Sequence, residues 1–183
     1  YEADIYTLWE TSGAFEAKGK GVPYSIIMPP PNANGNLHLG HALMNATEDI
    51  LIRYHRMKGD RALYIPGADH AGFETWVVYE RQLEKEGKSR FDFTRDDLYN
   101  QVWDFVANNR GNMETQLREL GASCDWSKLV FTLDESVTKT AYQTFKMLWK
   151  DGLVYRGKRL VNYCTKHQTS FADIEIDYVD RKT

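Results

Sequence analysis

The chain is short of cysteine, of long apolar runs and of net charge, and each shortage removes a class of protein. Its two cysteines, Cys124 and Cys164, are far apart and cannot form the dense disulfide framework of a secreted mini-protein, so a reduced, intracellular setting is expected. No run of roughly 18 apolar residues is present, and the opening Tyr1-Glu2-Ala3-Asp4 has neither a basic nor an apolar signal region. No membrane partner or export is therefore expected, and the reading is a cytoplasmic protein. A formal charge of −3 with pI near 6.0 gives no global attraction to polyanions, so any nucleic-acid contact must come from local basic patches. Internal repeats and low-complexity tracts are also missing. The chain lacks an initiating methionine and closes on Asp180-Arg181-Lys182-Thr183 without a capping pattern, so a fragment is expected. What is present, 42% hydrophobic and 13% aromatic residues, suffices for one ordinary globular core.

Periodicity orders the first third of the chain. Ile5, Leu8 and Trp9 before Gly13 predict a short amphipathic helix, and Lys18-Gly19-Lys20-Gly21 reads as a loop. Residues 24–28 form a compact, mostly apolar run bounded by Pro23 and Pro29, which predicts a buried strand. Proline, asparagine and glycine at residues 29–36 predict tight turns. From His38 to Met57 the apolar residues Leu39, Ala42, Leu43, Ala46, Ile50, Tyr54 and Met57 fall three or four apart, predicting a long amphipathic helix closed near Gly59. A second strand over 62–65 completes a βαβ unit, for which a parallel pair is expected.

Beyond it the pattern turns helical. Thr94 with Asp97 marks a helix start, followed by the apolar positions Leu98, Val102, Phe105 and Val106. Gly121 ends the last helix of this stretch, which carries Met113, Leu117 and Leu120. Asp134 can cap a further helix bearing Val137, Ala141, Phe145 and Leu148 and stopped by Gly152. Short strands are expected at 153–155, 160–163 and 174–176. The fold class is α/β: a Rossmann-like parallel half-domain with a helix-rich segment and short strands toward its C-terminal end.

The strongest constellation is strand, turn and then His38-Leu39-Gly40-His41 opening a helix. A helix N-terminus offers free N–H groups to an anion, and Gly35 and Gly40 remove side-chain bulk where a nucleotide would come close. His38 and His41, one turn apart, can share a face as donors to phosphate oxygens. Two bland readings stand beside this one: a helix cap with two exposed histidines, and a metal pair, which lacks a third ligand at a convincing spacing. Cys164-x-x-His167 has the spacing of a zinc half-site but no second pair to complete it, so no structural zinc is expected.

Together, Pro29-Pro30-Pro31-Asn32 and His38-Leu39-Gly40-His41 resemble the HIGH signature region of class I aminoacyl-tRNA synthetases, with leucine in place of isoleucine. Gly67-Ala68-Asp69-His70-Ala71-Gly72 resembles a second block of that family, in its valyl branch, and the likeness runs through Leu117-Arg118-Glu119-Leu120-Gly121, Asp125-Trp126-Ser127, the 151–157 segment and the 160–164 segment to the end of the chain. The later blocks are shared with isoleucyl and leucyl enzymes. Departures are Phe73-Glu74-Thr75-Trp76, where small or polar residues are usual, and Thr165, where a proline is usual.

The resemblance implies roles. His38 and His41 are the catalytic donors, and Asn36 and Gly40 join them in binding ATP, which comes with Mg²⁺ as cosubstrate. Asp69 pairs with the substrate α-ammonium, with helix N-capping as its plainer alternative. Pro30 and Asn32 line the amino-acid pocket. The implied reaction makes valyl-adenylate and transfers valine to tRNA(Val). Alternatives are an isoleucyl-type enzyme and a synthetase-like module kept for binding alone. Lys18, Lys20, Arg156, Lys158 and Arg159 are candidate phosphate contacts, though scattered basic residues more often form a solvated face. The family's lysine-rich second signature has no match here, and the resemblance implies that residues 1–183 are the N-terminal part of the catalytic domain, ending over 160–183 near the start of an inserted editing domain. A fragment of that kind is expected to be inactive or weakly active alone.

Overall fold

The computed structural model describes residues 1–180, and the chain divides into two compact units, Tyr1–Thr140 and Ala141–Thr183. The first unit opens with helix α1 (Glu2–Thr11), which stops where Gly13 takes φ +70. Strands β1 (Pro23–Ile27) and β2 (Arg61–Ile65) pair in parallel, Tyr24 beside Ala62 and Ile26 beside Tyr64, with helix α2 (Leu39–Met57) as the crossover between them. Gly59, at φ +86, turns the chain from α2 into β2. Asp60 then fastens the turn: Oδ1 accepts from the Val22 N–H at 3.2 Å, and Oδ2 lies 2.7 Å from His55 Nδ1. The lysine-glycine loop packs directly on this corner, since a Cβ on Gly19 would collide with the Asp60 carbonyl.

The strand ladder stops for a chemical reason. Met28 donates its N–H to the Ile65 carbonyl at 2.9 Å, and the next three residues are prolines with no N–H to give. Pairing resumes at Asn32 with Asp69, so the offset between partners, 38 residues at Ile27 and Ile65, becomes 37 after the prolines. The parallel arrangement continues through β3 (Gly67–Ala68) beside β4 (Val130–Phe131).

The core gathers Met28, Ile52, Tyr64, Val106, Met113 and Leu117 between the sheet, α2 and helix α4 (Arg95–Glu119). Thr94 caps α4 as the sequence predicts, its hydroxyl accepting from the Asp97 N–H at 3.2 Å. One continuous 25-residue helix replaces the succession of helices expected there, because Gly111 is tolerated in the interior of an otherwise well-packed helix. Helix α3 (Phe73–Lys85), which the sequence offered only as the alternative reading of Asp69, packs against α4. Asp134 stands before helix α5 (Glu135–Lys150), but its carboxylate turns back to accept from the Phe131 N–H at 2.8 Å.

One burial expectation is overturned. β1 is not a fully buried strand: its residues alternate, and Ile27 is 73% exposed. On α2 the apolar stripe faces outward, with Leu39 84%, Ile50 66% and Met57 82% exposed, while Asn45 and Asp49 are buried beside Ile52. The inward polar groups find specific partners, except Arg56 Nε, which is buried without one among the described residues. Asp49 accepts from the Ser123 N–H at 3.2 Å and from its hydroxyl, and Arg53 Nε donates to Asp49 Oδ2 at 2.7 Å. Arg56 reaches the Ser123 carbonyl at 2.8 Å and the Phe15 carbonyl at 3.0 Å. Asn45 Nδ2 donates to the Tyr64 hydroxyl, which donates in turn to Glu48.

The second unit carries an antiparallel hairpin, β5 (Asn162–Cys164) with β6 (Thr169–Phe171). The strands expected at 153–155 and 174–176 do not form: the first is irregular, and the second region holds a 3₁₀ turn, Asp173–Glu175, in which the Ala172 N–H donates to the Glu175 carboxylate. Of the 160–163 strand, only Asn162 and Tyr163 enter β5. Residues 181–183, part of the expected terminal segment, lie outside the described residues. No helix among the described residues is long and apolar enough to cross a membrane.

Candidate functional site

His38 is the N-cap of α2, with extended backbone at φ −120, ψ 173. Its Nδ1 accepts from the Gly40 N–H at 3.1 Å, and His41 Nδ1 accepts from the His38 N–H at 3.1 Å. The two imidazoles thus close a reciprocal capping box, with ring centroids 3.9 Å apart. A nitrogen that accepts carries no proton, so each neutral ring holds its proton on Nε2. Burial, and then the neighbouring charge of His38, lower the His41 pKa, which favours the same neutral form. The outcome is two Nε2–H donors at the positive end of a 19-residue helix. The cap reading and the donor reading of the sequence are therefore compatible: one nitrogen of each ring caps, and the other is left over.

Gly40 serves this arrangement within the chain itself. A Cβ there would lie 2.9 Å from His38 Cε1 and 3.0 Å from Nδ1, so glycine lets the His38 ring fold over the first turn. Gly35 faces open space. Asn36 is fixed from α4: its Oδ1 accepts from Asn112 Nδ2 at 2.7 Å and Gln116 Nε2 at 3.3 Å, while Gln116 Oε1 takes the Leu37 N–H at 2.8 Å. Any ligand contact by the Asn36 side chain is left to its Nδ2. Asn112 and Gln116, about 80 residues away in sequence, carried no signal that could have joined them to this loop.

The proline-asparagine segment and the 67–72 block are brought together by the resumed ladder. The Asp69 N–H donates to the Pro31 carbonyl at 2.8 Å, and the Ala33 N–H donates to the Asp69 carbonyl at 2.7 Å. Pro30 lies over Gly67, where an added Cβ would stand 3.1 Å from the Pro30 Cβ. Asp69 is not a helix cap: α3 begins two residues after Ala71, with Gly72 as its N-cap and no side-chain capping bond. Ala71 and Gly72 both take positive φ, 58 and 53, so a tight left-handed corner separates Asp69 from that helix. The Thr75 hydroxyl holds the corner by donating to the His70 carbonyl at 2.7 Å.

The Asp69 carboxylate is half-exposed and held on one side only. Thr132, just beyond β4, donates its hydroxyl to Asp69 Oδ1 at 3.0 Å. The Thr132 hydroxyl oxygen in turn accepts from the His70 N–H at 3.0 Å and lies 2.6 Å from His70 Nδ1. Behind His70 lies an apolar cavity of about 230 Å³ walled by Trp76, Tyr99, Val102, Trp103 and Leu133. The departure at 73–76 therefore contributes Trp76 to this wall.

The remaining candidates are separate. Cys164 Sγ lies 3.3 Å from His167 Nδ1 in the β5–β6 hairpin, and among the described residues no group of three His, Cys, Asp or Glu side chains could hold a metal ion. Cys124 is buried, and burial pushes its thiol pKa well up, which makes it unreactive. Lys18 pairs with Glu16 at 3.5 Å, and Lys20, Arg156, Lys158 and Arg159 are exposed.

Comparison with known proteins gives a consistent result. A family model described as tRNA synthetases class I (I, L, M and V) matches residues 4–183. A valine–tRNA ligase of Psychrobacter arcticus is 47% identical over 182 residues, covering 99% of this chain and 18% of that protein. The corresponding figures for a valine–tRNA ligase of Chlamydia muridarum are 45% over 184 residues, 99% and 20%. The chain thus spans about a fifth of the length of the curated relatives it matches. Among solved structures, the ternary complex of an Agrobacterium radiobacter K84 LeuRS with tRNA and LeuAMS superposes with a TM-score of 0.74 at 21% identity, over 94% of this chain and 20% of that one. That likeness is one of fold.

Proposed function

The chain belongs to the class I tRNA synthetases (I, L, M and V), and from that premise we propose that it forms the first half of the catalytic domain of a valine–tRNA ligase, a cytoplasmic enzyme. Its substrates are valine, ATP with Mg²⁺ and tRNA(Val). The observation that carries the reading is the tautomer of the two histidines: both Nδ1 atoms are occupied by backbone N–H groups, which leaves two neutral Nε2–H donors at one helix N-terminus. His38-Leu39-Gly40-His41 is on this reading the HIGH-type signature.

In amino-acid activation the valine carboxylate attacks the α-phosphorus of ATP and pyrophosphate leaves. The charge shifts onto phosphoryl oxygens, and fixed donors that need no reorganisation stabilise it. Neutral imidazole donors suit this task, since they do not bind the ground-state polyphosphate as tightly as cations would. Asp69 keeps Oδ2 for the substrate ammonium, while Pro30 and Asn32, locked to it by the ladder, border the amino-acid site. The half-domain reading is supported by the outward apolar stripe of α2 and by exposed Ile27 on β1, surfaces of the kind a second layer covers. On this account the chain alone binds ATP weakly and does not charge tRNA.

The test is valine-dependent ATP–pyrophosphate exchange by the complete enzyme. His38→Asn keeps a capping side chain and removes the distal donor, so it is expected to lower kcat by about 10²–10³ with the valine KM little changed. Exchange at the unsubstituted rate would remove the histidines from the chemistry, and preference for isoleucine over valine would move the chain to the neighbouring specificity.

A further inference from the structure

Thr132 is 63 residues from Asp69 in sequence, yet its hydroxyl donates to the Asp69 carboxylate. A hydroxyl has one proton and two lone pairs. Here the proton goes to Asp69 Oδ1 at 3.0 Å, because a carboxylate can only accept. The lone pairs then face the His70 N–H at 3.0 Å and His70 Nδ1 at 2.6 Å, so that nitrogen must be a donor. All three bonding positions of the hydroxyl are used, and each partner comes from the 69–70 corner. His70 is thereby the reverse of His38 and His41: its proton sits on Nδ1. That same Nδ1 also lies 3.3 Å from Asp69 Oδ1, so the Thr132 hydroxyl, at 2.6 Å, is the nearer of two acceptors for its proton.

We propose that Thr132 is a positioning residue for amino-acid recognition: it fixes the rotamer of Asp69 and takes the His70 ring N–H in preference to the carboxylate, so that the carboxylate stays available to a substrate ammonium. The inference rests on the reading above that Asp69 binds that ammonium. Backbone supports the placement, since the Thr132 N–H donates to the Ala68 carbonyl at 3.1 Å and so registers the hydroxyl one residue from Asp69. Losing the hydroxyl leaves the His70 N–H without its acceptor and lets His70 Nδ1–H compete for Oδ1.

The test uses the complete enzyme and pyrophosphate exchange. Thr132→Val, which keeps the shape and removes the hydroxyl, is expected to raise the valine KM by about 10- to 100-fold, the range for a lost hydrogen bond to a charged group, with kcat and the ATP KM within about twofold. Thr132→Ser should restore the valine KM. Inhibition by 2-hydroxyisovalerate, which has no ammonium, should be unchanged in Thr132→Val; weakening of this inhibitor in parallel with valine would mean a merely structural role and overturn the proposal. Should Thr132→Val fail to fold, the imidazole nitrogen shifts of His70 in the unsubstituted protein decide, since an Nε2–H tautomer there contradicts the bonding described. Asp69→Asn separates the two readings: an unchanged valine KM in this variant removes Asp69 from ammonium binding, whereas a raised KM there with none in Thr132→Val overturns only the role of Thr132.

Discussion

Helices α2 and α4 are both long and both amphipathic in sequence, but they bury opposite faces. α4 turns Val106, Met113 and Leu117 into the core, as its apolar spacing predicts. α2 turns its apolar stripe outward and docks through Asn45, Asp49 and Arg56. Amphipathicity says which face can be covered by an apolar layer. It does not say that the layer is in hand, and α2 shows what a helix does when its other face has a network of polar partners.

The comparison can be broken first at α4. Leu117→Ala empties a site that is 1% exposed, and a loss of about 2–5 kcal/mol of unfolding free energy is expected in urea titration. A loss below about 1 kcal/mol would mean that α4 is not the packed helix of the pair. Next comes the polar docking of α2. Asp49→Ala strips the acceptor from the Ser123 N–H and hydroxyl and from Arg53, and about 1–3 kcal/mol is expected, the cost of leaving buried donors unpaired. If this substitution were neutral while Ile50→Ala were costly, the assignment of inner and outer faces would be reversed.

How much of this was legible in the sequence follows from the range of each interaction. Local signals were sufficient for the strand–helix–strand order of the βαβ unit, which periodicity marks element by element, and for Thr94 as a cap and Gly59 as a helix stop, which depend on neighbours within one turn. The site was half legible. His38 and His41 lie on one helix and point to each other through their spacing, and the resemblance supplied Asp69. Thr132, Asn112 and Gln116 were not found, since they reach the site only through the β3–β4 pairing and the packing of α4, which no local pattern encodes. The outward direction of the α2 stripe was not legible for the same reason: the Asp49 and Arg56 partners, Phe15 and Ser123, are contributed from 41 residues upstream and 67 to 74 downstream.

The N-terminus of α2 gives a smaller effect. His38→Ala removes a capping acceptor and is expected to cost about 1 kcal/mol, which His38→Asn should largely recover. His41 adds a pH dependence whose sign is fixed: its folded pKa lies below the ordinary 6.5, so its contribution is fully present above pH 6.5 and is lost as pH falls below it. Thermal stability measured between pH 7.5 and 5.5 should decline, and His41→Asn should flatten part of that slope. An unchanged slope would mean that His41 does not titrate as a capping acceptor.

The smallest effect is expected where the sequence looks most like a core. Ile50 is exposed, so Ile50→Gln in the 183-residue chain should change stability by no more than about 0.5 kcal/mol. In the complete enzyme the same substitution should cost about 1.5–3 kcal/mol, the value of burying such a side chain, because the proposed second half of the domain covers the stripe. The difference between the two measurements is what matters. Equal, small effects in both would leave the stripe uncovered and remove the structural support for the half-domain reading, while leaving the histidine cap and Asp69 untouched. Equal, large effects would mean that Ile50 already packs within this chain and that α2 differs from α4 only in how its polar face is satisfied.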